Sequence, residues 1–396
     1  MTLRLAAAVW AVLVIAVAGR VAVAPVRSHT VTPIYWTAAN KFARGEPLYV
    51  PVEGLDMYLY PPGFAAGVVP FTWLPEKLAG ILWRVLGTGL FLAGLWRLGH
   101  DLLGLDNRAV AWLMLLPIPL AISSLDNGQA NLHMAGLVGL GAAAFGRKRW
   151  TAAAGWFAVA VGIKVYPFAA GMLFGVNRRR WVFGLCGFAA AVILFPFVCA
   201  NANYVWNQFR GMTSFADNDD RLHSYSLARV PRDWTILTRT WLGWVPKEIT
   251  ARIISAVAGI AFAGLVFTSR RKPFTQHVWL AFALGSIWMT LFGPATEAQT
   301  YTLLAPALTA TVLLSRGWSQ LLAVVAWWLF TAQMIRDAFP NGWKMSVYGT
   351  QPTAAVLLLL AVLLDAFIKT RNSQPGRLTR WMKMVTPWTT FHAPTI

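Results

Sequence analysis

Residues 109–149 read "AVAWLMLLPIPLAISSLDNGQANLHMAGLVGLGAAAFGRKR". Two apolar runs flank one polar turn, and each is long enough to approach the ~30 Å hydrocarbon thickness of a bilayer as a helix. The turn, residues 125–134, contains an aspartate, two asparagines, a glutamine, a histidine and a helix-weakening glycine. A basic cluster follows the second run. The stretch therefore predicts two antiparallel membrane helices, with a polar turn at one surface and cations at the other.

The rest of the chain repeats this pattern. Of 396 residues, 57% are hydrophobic and 12% are charged, whereas soluble proteins carry about 25% charged residues. No low-complexity linker divides the apolar segments. We predict an all-α polytopic membrane domain over residues 1–370, a bundle of about ten full spans, and a basic cytoplasmic tail over 371–396. The first apolar stretch, residues 3–24, is expected to remain as a signal anchor.

The formal net charge of +19 has a specific distribution. The cations cluster between apolar segments, at 147–149, 178–180 and 270–272, and in the tail. This is the positive-inside pattern combined with attraction to anionic membrane lipids, so nucleic acid is not expected as a partner. It places loops 26–76 and 201–249 outside and predicts a multi-pass protein of the cytoplasmic (inner) membrane, whose site faces the periplasm or exterior.

Two segments are not expected to be ordinary spans. Only 28 residues separate the basic runs 147–149 and 178–180, and both runs require the cytoplasmic side. This predicts a broken helical hairpin that turns near "IKVYP", residues 163–167. The amphipathic stretch "IYWTAANKFARGEPLY", residues 34–49, predicts an interfacial helix with Tyr35, Trp36 and Phe42 turned to lipid.

Several chemistries have no motif here. There is no GxxxxGK[ST], HExxH or GxSxG pattern and no Cys/His spacing typical of a metal site. We therefore predict no cofactor and no metal ligands, and the sequence leaves open whether a metal assists. Cys186 and Cys199 are too far apart on one helix to pair and are expected to be buried.

The polar turn is the first candidate site. Asp126 or Asn127 could simply cap a helix at an Asn-Gly turn. A cap requires one residue, however, and Gln129 and Asn131 follow within a few positions. Since polar groups at membrane depth are costly, this density favours binding of sugar or phosphate oxygens.

Two cations within apolar segments are candidates for phosphate binding. Lys164 lies at the proposed tip of the broken hairpin, and Arg84 lies within "ILWRVLG". Either side chain could instead extend to the lipid-water boundary. For Lys164 the phosphate role is the better explanation; for Arg84 the two interpretations are equal.

The remaining candidates lie in the outer loops. "SYSLARV" offers the Ser226 hydroxyl and the Arg229 guanidinium to a phosphate or sugar, and Tyr60 in "YLYPPGF" could face a sugar or pack in an aromatic belt. "FGPATEAQTY" places Glu297 near Gln299. A carboxylate at a lipid-water boundary is suited to act as a general base, although a solvated turn is the simpler interpretation.

With these motifs assembled, the sequence resembles the bacterial integral-membrane glycosyltransferases of family 87, which have the GT-C fold. The best-known members of this family are the polyprenol-phosphate-mannose-dependent mannosyltransferases of mycobacteria. The resemblance rests on motifs in the family's order over roughly residues 5–370, and "NGQxN" followed by "KxxP" is its most specific part. The motifs are "IYWTAANKFARGEPLY" (34–49), "YLYPPGFA" (58–65), "DNGQANLH" (126–133), "IKVYP" (163–167), "HSYSLARV" (223–230) and "GPATEAQTYTLLAPAL" (293–308).

The resemblance implies inverting transfer of a hexose, mannose-like, from a polyprenyl-phosphate donor to a lipid or glycan acceptor. Lys164, Arg229 and Arg84 would bind the donor phosphate. The residues that would contact sugar or substrate are Asn127, Gln129, Asn131, Tyr60, Ser226 and Gln299.

One departure from the family concerns the base. Many members carry a catalytic aspartate just before the "YW" pair, whereas "VRSHTVTPIYW" has no carboxylate between Arg27 and Trp36. Glu297 and Asp126 are then the first candidates, with His29 as a substitute in the loop and Asp56 behind them.

Two other classes of protein remain as alternatives. A transporter of lipid or lipid-linked sugar would also use a broken hairpin, but it predicts an internal hydropathy repeat that the sequence lacks. A non-catalytic relative of such transferases would account for the missing carboxylate.

Overall fold

The structure is a computed structural model that describes residues 1–26, 30–176, 178–214, 232–244, 246–293, 298–335 and 350–367. Within these ranges the chain forms seventeen α-helices and no β-strand. The all-α polytopic fold predicted from the sequence is confirmed.

The first half of the chain forms nine helices. They are α1 Leu3–Val23, α2 Thr32–Arg44, α3 Pro62–Val68, α4 Glu76–Arg97, α5 Asn107–Leu115, α6 Ile118–Asn127, α7 Asn131–Gly146, α8 Trp150–Ile163 and α9 Pro167–Phe174. Short 3-10 and π-helical turns extend α3 and α4, over Val69–Trp73 and Leu98–Leu102.

The second half forms eight more. They are α10 Arg179–Cys199, α11 Ala202–Ser214, α12 Arg232–Leu242, α13 Glu248–Thr268, α14 Phe274–Leu291, α15 Ala305–Leu314, α16 Trp318–Met334 and α17 Thr350–Phe367. A 3-10 segment, Ala298–Leu304, leads into α15.

The number of helices long enough to span a bilayer is smaller than the ten predicted. Among the described residues, five helices are long and apolar enough to cross a bilayer, and a sixth span results if α5 and α6 count as one. Those two meet at a bend of 53°, because Pro117 and Pro119 interrupt the helical hydrogen bonding there. Helices α2 and α3, which lie between α1 and α4, are too short to span a bilayer.

The two ends of the bundle differ in chemistry. We call the end where α6 meets α7 the turn end, and the end carrying residues 147–149, 178–180 and 270–272 the basic end. Helices α4 and α7 run side by side between them. A Cβ on Gly136 would lie 2.3 Å from the carbonyl oxygen of Leu90, and one on Gly94 would lie 2.6 Å from that of Gly136. Small residues thus let two membrane helices touch through their backbones.

The broken hairpin is present where the sequence predicted it. Helix α8 ends at Ile163, and Lys164 has an extended conformation with φ of −146°. Helix α9 then starts at Pro167, in the first helical position where a proline loses no hydrogen bond. Neither arm is long enough to cross a bilayer alone at ~1.5 Å per residue.

Two expectations were wrong. Tyr35, Trp36 and Phe42 of α2 do not face lipid; they are 1%, 5% and 3% exposed and pack into the core. The amphipathic face of α2 therefore covers the protein rather than the membrane. Cys186 and Cys199 are free and exposed, because α10 turns much of its apolar surface outward.

The loop after α2 is fixed at the turn end by α11. The backbone N–H of Leu48 donates to Gln208 Oε1 at 2.8 Å, and the Tyr204 hydroxyl donates to the carbonyl of Glu46 at 2.8 Å. Helix α3 rests against α10, where Gly63 lies close to Pro196. Helices α2, α3 and α11 thus form one cover over the turn end.

Candidate functional site

The site begins at the end of α6. Gly128 adopts φ of +69°, which ends the helix in a left-handed cap. Its N–H donates to Leu125 O at 3.2 Å, and Gln129 N–H donates to Ser124 O at 3.0 Å. A Cβ at Gly128 would lie 2.8 Å from Arg84 Nη2, so the position requires glycine for both conformation and space.

The carbonyls left over at this helix end each receive a donor from another segment. Arg84 Nε donates to Leu125 O at 3.0 Å, and its Nη2 donates to Asp126 O at 2.9 Å. Trp83 Nε1 donates to Gly128 O at 3.0 Å. Unsatisfied carbonyls at a helix end are costly away from water, and these two neighbouring side chains of α4 satisfy three of them.

Two further segments complete the cap. Arg20 of α1 donates from Nη2 to Asp126 O at 2.8 Å, and its Nε lies 2.7 Å from Asp126 Oδ1 in an ion pair. The Thr30 hydroxyl and the Val31 N–H both donate to Asn127 O at 3.1 Å. The carbonyls of this helix end are therefore capped by groups of three other segments, and the Asp126 carboxylate pairs with one of those groups.

Two of the three predicted sugar-binding amides are enclosed in the protein, whereas Asn127 is half-buried. Gln129 is 4% exposed and Asn131 is fully buried, and Asn131 Nδ2 donates to Gln129 Oε1. Between them, the N–H of Ala130 points to the Tyr35 hydroxyl at 3.4 Å. In this conformation the two amides bond to each other, and the backbone between them reaches the tyrosine.

An aromatic layer separates the turn from the broken hairpin. The Tyr35 ring meets the rings of Tyr60 and Phe64, each at a centroid distance of 5.0 Å, and that of Trp83 at 5.8 Å. The hydroxyls of Tyr35 and Tyr60 are 2.7 Å apart. Behind Trp83, the His133 ring stacks at 4.0 Å. This layer positions two phenolic hydroxyls beside the α7 N-terminus.

Lys164 lies on the far side of this layer. Its ammonium is 5.3 Å from the centroid of the Tyr60 ring and 5.8 Å from that of Tyr166, within the range of cation–π attraction. The side chain is half-buried. The structure thus joins the two predicted motifs, since Lys164 reaches the polar turn through Tyr60 and Tyr35.

Arg84 has a different environment from Lys164. It is 3% exposed and makes four hydrogen bonds, the other two being Nη1 to Gly80 O at 2.9 Å and Nη2 to Thr30 Oγ1 at 2.9 Å. All of these acceptors belong to the protein. The geometry favours a structural role for Arg84 over the predicted contact with a donor phosphate.

Gln299 is brought to the same turn through its backbone. The Ser124 hydroxyl donates to Gln299 O at 2.9 Å and lies 2.7 Å from the Thr302 hydroxyl. The 3-10 segment Ala298–Leu304 therefore lies against α6. Four other candidates, His29, Ser226, Arg229 and Glu297, lie outside the described residues.

Two cavities open beside α2. One is lined by Arg20, Thr30 and Lys77 among others; the other is lined by Lys41, Asp56 and Tyr58 among others. Among the described residues, no three His, Cys, Asp or Glu side chains are grouped to hold a metal ion.

The tyrosines of the loop before α3 are held in their neutral form. Burial raises the pKa of Tyr49 and of Tyr58 well above the usual value of 10. Tyr49 donates its hydroxyl to Tyr60 O at 2.8 Å, and Tyr58 donates to Pro61 O at 2.9 Å. These bonds fix the backbone on both sides of Tyr60.

Tyr35, Trp83 and His133 were not predicted as parts of the site. The spacing of Tyr35 and Trp36 on an amphipathic helix suggested lipid contact, and Trp83 and His133 lie in apolar segments where aromatic residues are ordinary. The only sequence signal was proximity, since Trp83 precedes Arg84 and His133 follows Asn131 by two.

Three comparisons with known proteins bear on identity. No curated protein matches the sequence significantly. Among solved structures, ArnT from Cupriavidus metallidurans bound to undecaprenyl phosphate is similar over 91% of this chain and 77% of that chain, with 15% sequence identity and a TM-score of 0.41. The sequence model of glycosyltransferase family 87 matches residues 58–294, which is more than half of the chain and spans the polar turn, the broken hairpin and α3. The protein belongs to glycosyltransferase family 87.

Proposed function

We propose that this membrane glycosyltransferase moves a hexose, mannose-like, from a polyprenyl-phosphate donor to a lipid or glycan acceptor with inversion. The family supplies the reaction class, and the apolar helices supply the membrane location. The donor, sugar and acceptor are the parts proposed here. The turn end would face the outside of the cytoplasmic membrane, because the basic runs lie at the other end.

The observation that carries this proposal is the position of Lys164. Its ammonium lies on the Tyr60 ring at a break between two short apolar helices. An ammonium held at such a break, on the face of an aromatic ring, is suited to attract the anionic group of a substrate. A phosphate attached to a long apolar chain supplies both the charge and a reason to enter from the bilayer.

Lys164 would act on the leaving group. As the bond between the sugar C1 and the phosphate oxygen breaks, negative charge grows on the phosphate, and the ammonium stabilises it. Arg229 is the second proposed phosphate contact. Tyr60 holds the ammonium in place, and Tyr35, bonded to Tyr60 and to the backbone N–H of Ala130, holds Tyr60.

The base would take the proton of the acceptor hydroxyl as its oxygen bonds to C1. Glu297 and Asp126 remain the first candidates and His29 the next. The side chain of Asp126 is 44% exposed but already forms an ion pair with Arg20. Glu297 therefore ranks first in this proposal.

Lys164 variants test the phosphate role. Purified protein is incubated with radiolabelled polyprenyl-phosphate mannose and a membrane lipid extract, and transfer is measured with Lys164→Ala, Lys164→Arg and the control Arg210→Gln. We expect Lys164→Ala to lower kcat/KM about 100-fold, as loss of one charge-stabilising donor does. Lys164→Arg should retain part of the activity and Arg210→Gln all of it. Full transfer by Lys164→Ala would remove the phosphate role.

Substitutions of the carboxylates test the base. Glu297→Gln and Asp126→Asn are compared in the same assay, with donor binding measured separately by competition with unlabelled polyprenyl phosphate. A base substitution lowers kcat while donor binding persists. If both variants retain full transfer, the base assignment is wrong. If the wild-type protein binds donor but transfers no sugar to any acceptor in the extract, it is instead a non-catalytic relative.

A further inference from the structure

Nine cations converge at the basic end. They come from three runs that lie far apart in sequence: Arg147, Lys148, Arg149, Arg178, Arg179, Arg180, Arg270, Arg271 and Lys272. Eight of the nine side chains are exposed, and Lys272 is half-buried. The sequence shows three separate loops, whereas the structure brings them together on one surface, which we call the cationic surface.

Arg178 marks the point where the three runs meet. Its guanidinium lies 4.9 Å from the centroid of the Trp150 ring and 4.8 Å from that of Phe274. These two rings begin α8 and α14, directly after the other basic runs. Phe145 lies against both rings, at 4.7 Å and 6.0 Å. The centre of the cationic surface is therefore a packed aromatic platform rather than a set of independent loops.

Little of this positive charge is neutralised by the protein. Among the described residues, the ion pairs at this end both involve Asp101, which contacts Arg147 at 2.5 Å and Arg97 at 3.2 Å. The other eight cations form no ion pair in the described part of the chain. Lys272 instead donates to the carbonyl of Ala366, near the end of α17.

The backbone adds to the positive electrostatic potential of the cationic surface. Helices α8, α10 and α14 all begin at the cationic surface, and none has an acidic residue in its first turn or a side-chain cap. The N–H groups of their first turns have no partner within the helix and point toward the cationic surface. Such helix N-termini favour anions. This is a supporting effect beside the nine side chains.

Apolar side chains border the cationic surface on the lipid side. Phe183, one turn after Arg180, is 75% exposed, and Phe267, 40% exposed, lies 3.8 Å from the Arg270 guanidinium. A soluble polyanion offers nothing to these rings. A phospholipid offers phosphate to the cations and acyl chains to the aromatic residues.

We propose that the cationic surface is a binding site for an anionic phospholipid whose headgroup carries two phosphates, with Arg178 at its centre. Two linked phosphates can contact two of the three runs at once, and each phosphate then neutralises part of the unpaired charge of a different run. The site lies at the opposite end of the bundle from Lys164, and it does not depend on the proposed transferase activity.

The test measures lipid binding to the purified full-length protein in a neutral detergent by native mass spectrometry. Tetraoleoyl cardiolipin carries two phosphates, dioleoyl phosphatidylglycerol carries one, and phosphatidylcholine has no net charge. The variant Arg149→Gln/Arg179→Gln/Arg180→Gln removes one charge beside α8 and two at α10, and none of the three side chains makes a hydrogen bond among the described residues. Arg210→Gln is the control, because Arg210 is, like the three substituted residues, an exposed arginine, and it lies on α11 away from the cationic surface.

Wild-type protein should bind cardiolipin more tightly than phosphatidylglycerol, and both more tightly than phosphatidylcholine. Each basic residue near an anionic surface contributes a factor of about five, so the triple variant should bind cardiolipin about 100-fold more weakly. Arg210→Gln should not change binding. Single variants Arg179→Gln and Arg180→Gln, each with an expected loss of about fivefold, give the same answer if the triple variant does not fold.

Three results would overturn the proposal. Wild-type affinity for cardiolipin in the triple variant, or in both single variants, would exclude the cationic surface as the site. Displacement of cardiolipin by excess inorganic phosphate would show a site for free phosphate. Displacement by a short single-stranded oligonucleotide at equal phosphate concentration would show a site for nucleic acid.

Discussion

Replacing Arg84 distinguishes a residue that supports the site from one that binds substrate. Arg84→Met removes two charge-assisted hydrogen bonds between helices, to Leu125 O and Asp126 O. Such bonds are worth about 1.5–3 kcal/mol each. Both carbonyls keep a second donor, from the Gly128 N–H and from Arg20, so the lower value applies to each. The expected loss is about 3 kcal/mol.

Arg84→Lys should lower the free energy of unfolding by about half as much. An ammonium retains the charge but cannot reach both carbonyls as the planar guanidinium does. Thermal unfolding in detergent is the assay. Because the unfolding entropy is about 2.1 cal/mol/K per residue, a loss of this size lowers Tm by about 3–4 °C in a protein of this length. Binding of polyprenyl phosphate by the fraction that remains folded should be close to wild type.

The opposite pattern would refute this reasoning. If Arg84 bound the donor phosphate, both variants would keep the wild-type Tm and lose donor affinity. Lys164→Ala provides the comparison, since it should lower donor affinity while Tm changes little. Substitution of Arg84 should thus lower stability, whereas substitution of Lys164 should lower donor affinity.

Three further predictions concern packing and protonation. Gly128→Ala should cost about 2–4 kcal/mol, from the left-handed backbone and from contact with the guanidinium of Arg84; a change below 1 kcal/mol in chemical unfolding would contradict this. Gly136→Ala should cost about 3 kcal/mol or more, because its Cβ would meet backbone rather than a flexible side chain, whereas Gly89→Ala on α4 points into open space and should be neutral or slightly stabilising. The raised pKa of Tyr49 means that the unfolded chain releases this proton first, so stability present below about pH 10 should fall as the pH rises above it. Tyr49→Phe should make that decline shallower, which unfolding midpoints between pH 8 and about 11 can measure.

The motifs of the site could be located from the sequence, but their roles could not. The density of polar residues at 125–134 indicated a polar turn between two helices, and the charge spacing indicated the helix break at Lys164; the structure contains both. Asp126, Gln129 and Asn131 were read as side chains for substrate. A cluster of polar residues equally fits a helix end inside a membrane protein, where many backbone groups need hydrogen-bond partners. Only the tertiary structure shows which group each side chain contacts.

Arg84 illustrates the same limit. A lone arginine in an apolar helix has two ordinary explanations, and both give the same sequence pattern. The acceptors that decide between them come from α6 and from residue 30, more than forty positions away along the chain. Local spacing carries no information about contacts at that separation.

The sequence by itself determined the membrane class, the helical fold, the reaction family and the two chemical ends of the bundle. These follow from hydropathy, length, charge and short motifs, which are local properties of the chain. Tertiary structure decided that α2 buries its aromatic face, that Tyr35 and Tyr60 connect Lys164 to the polar turn, and that three basic loops form one surface. Each of these depends on which helices lie side by side. In a bilayer, where apolar faces meet lipid or protein at nearly equal cost, hydrophobic patterning does not specify those neighbours.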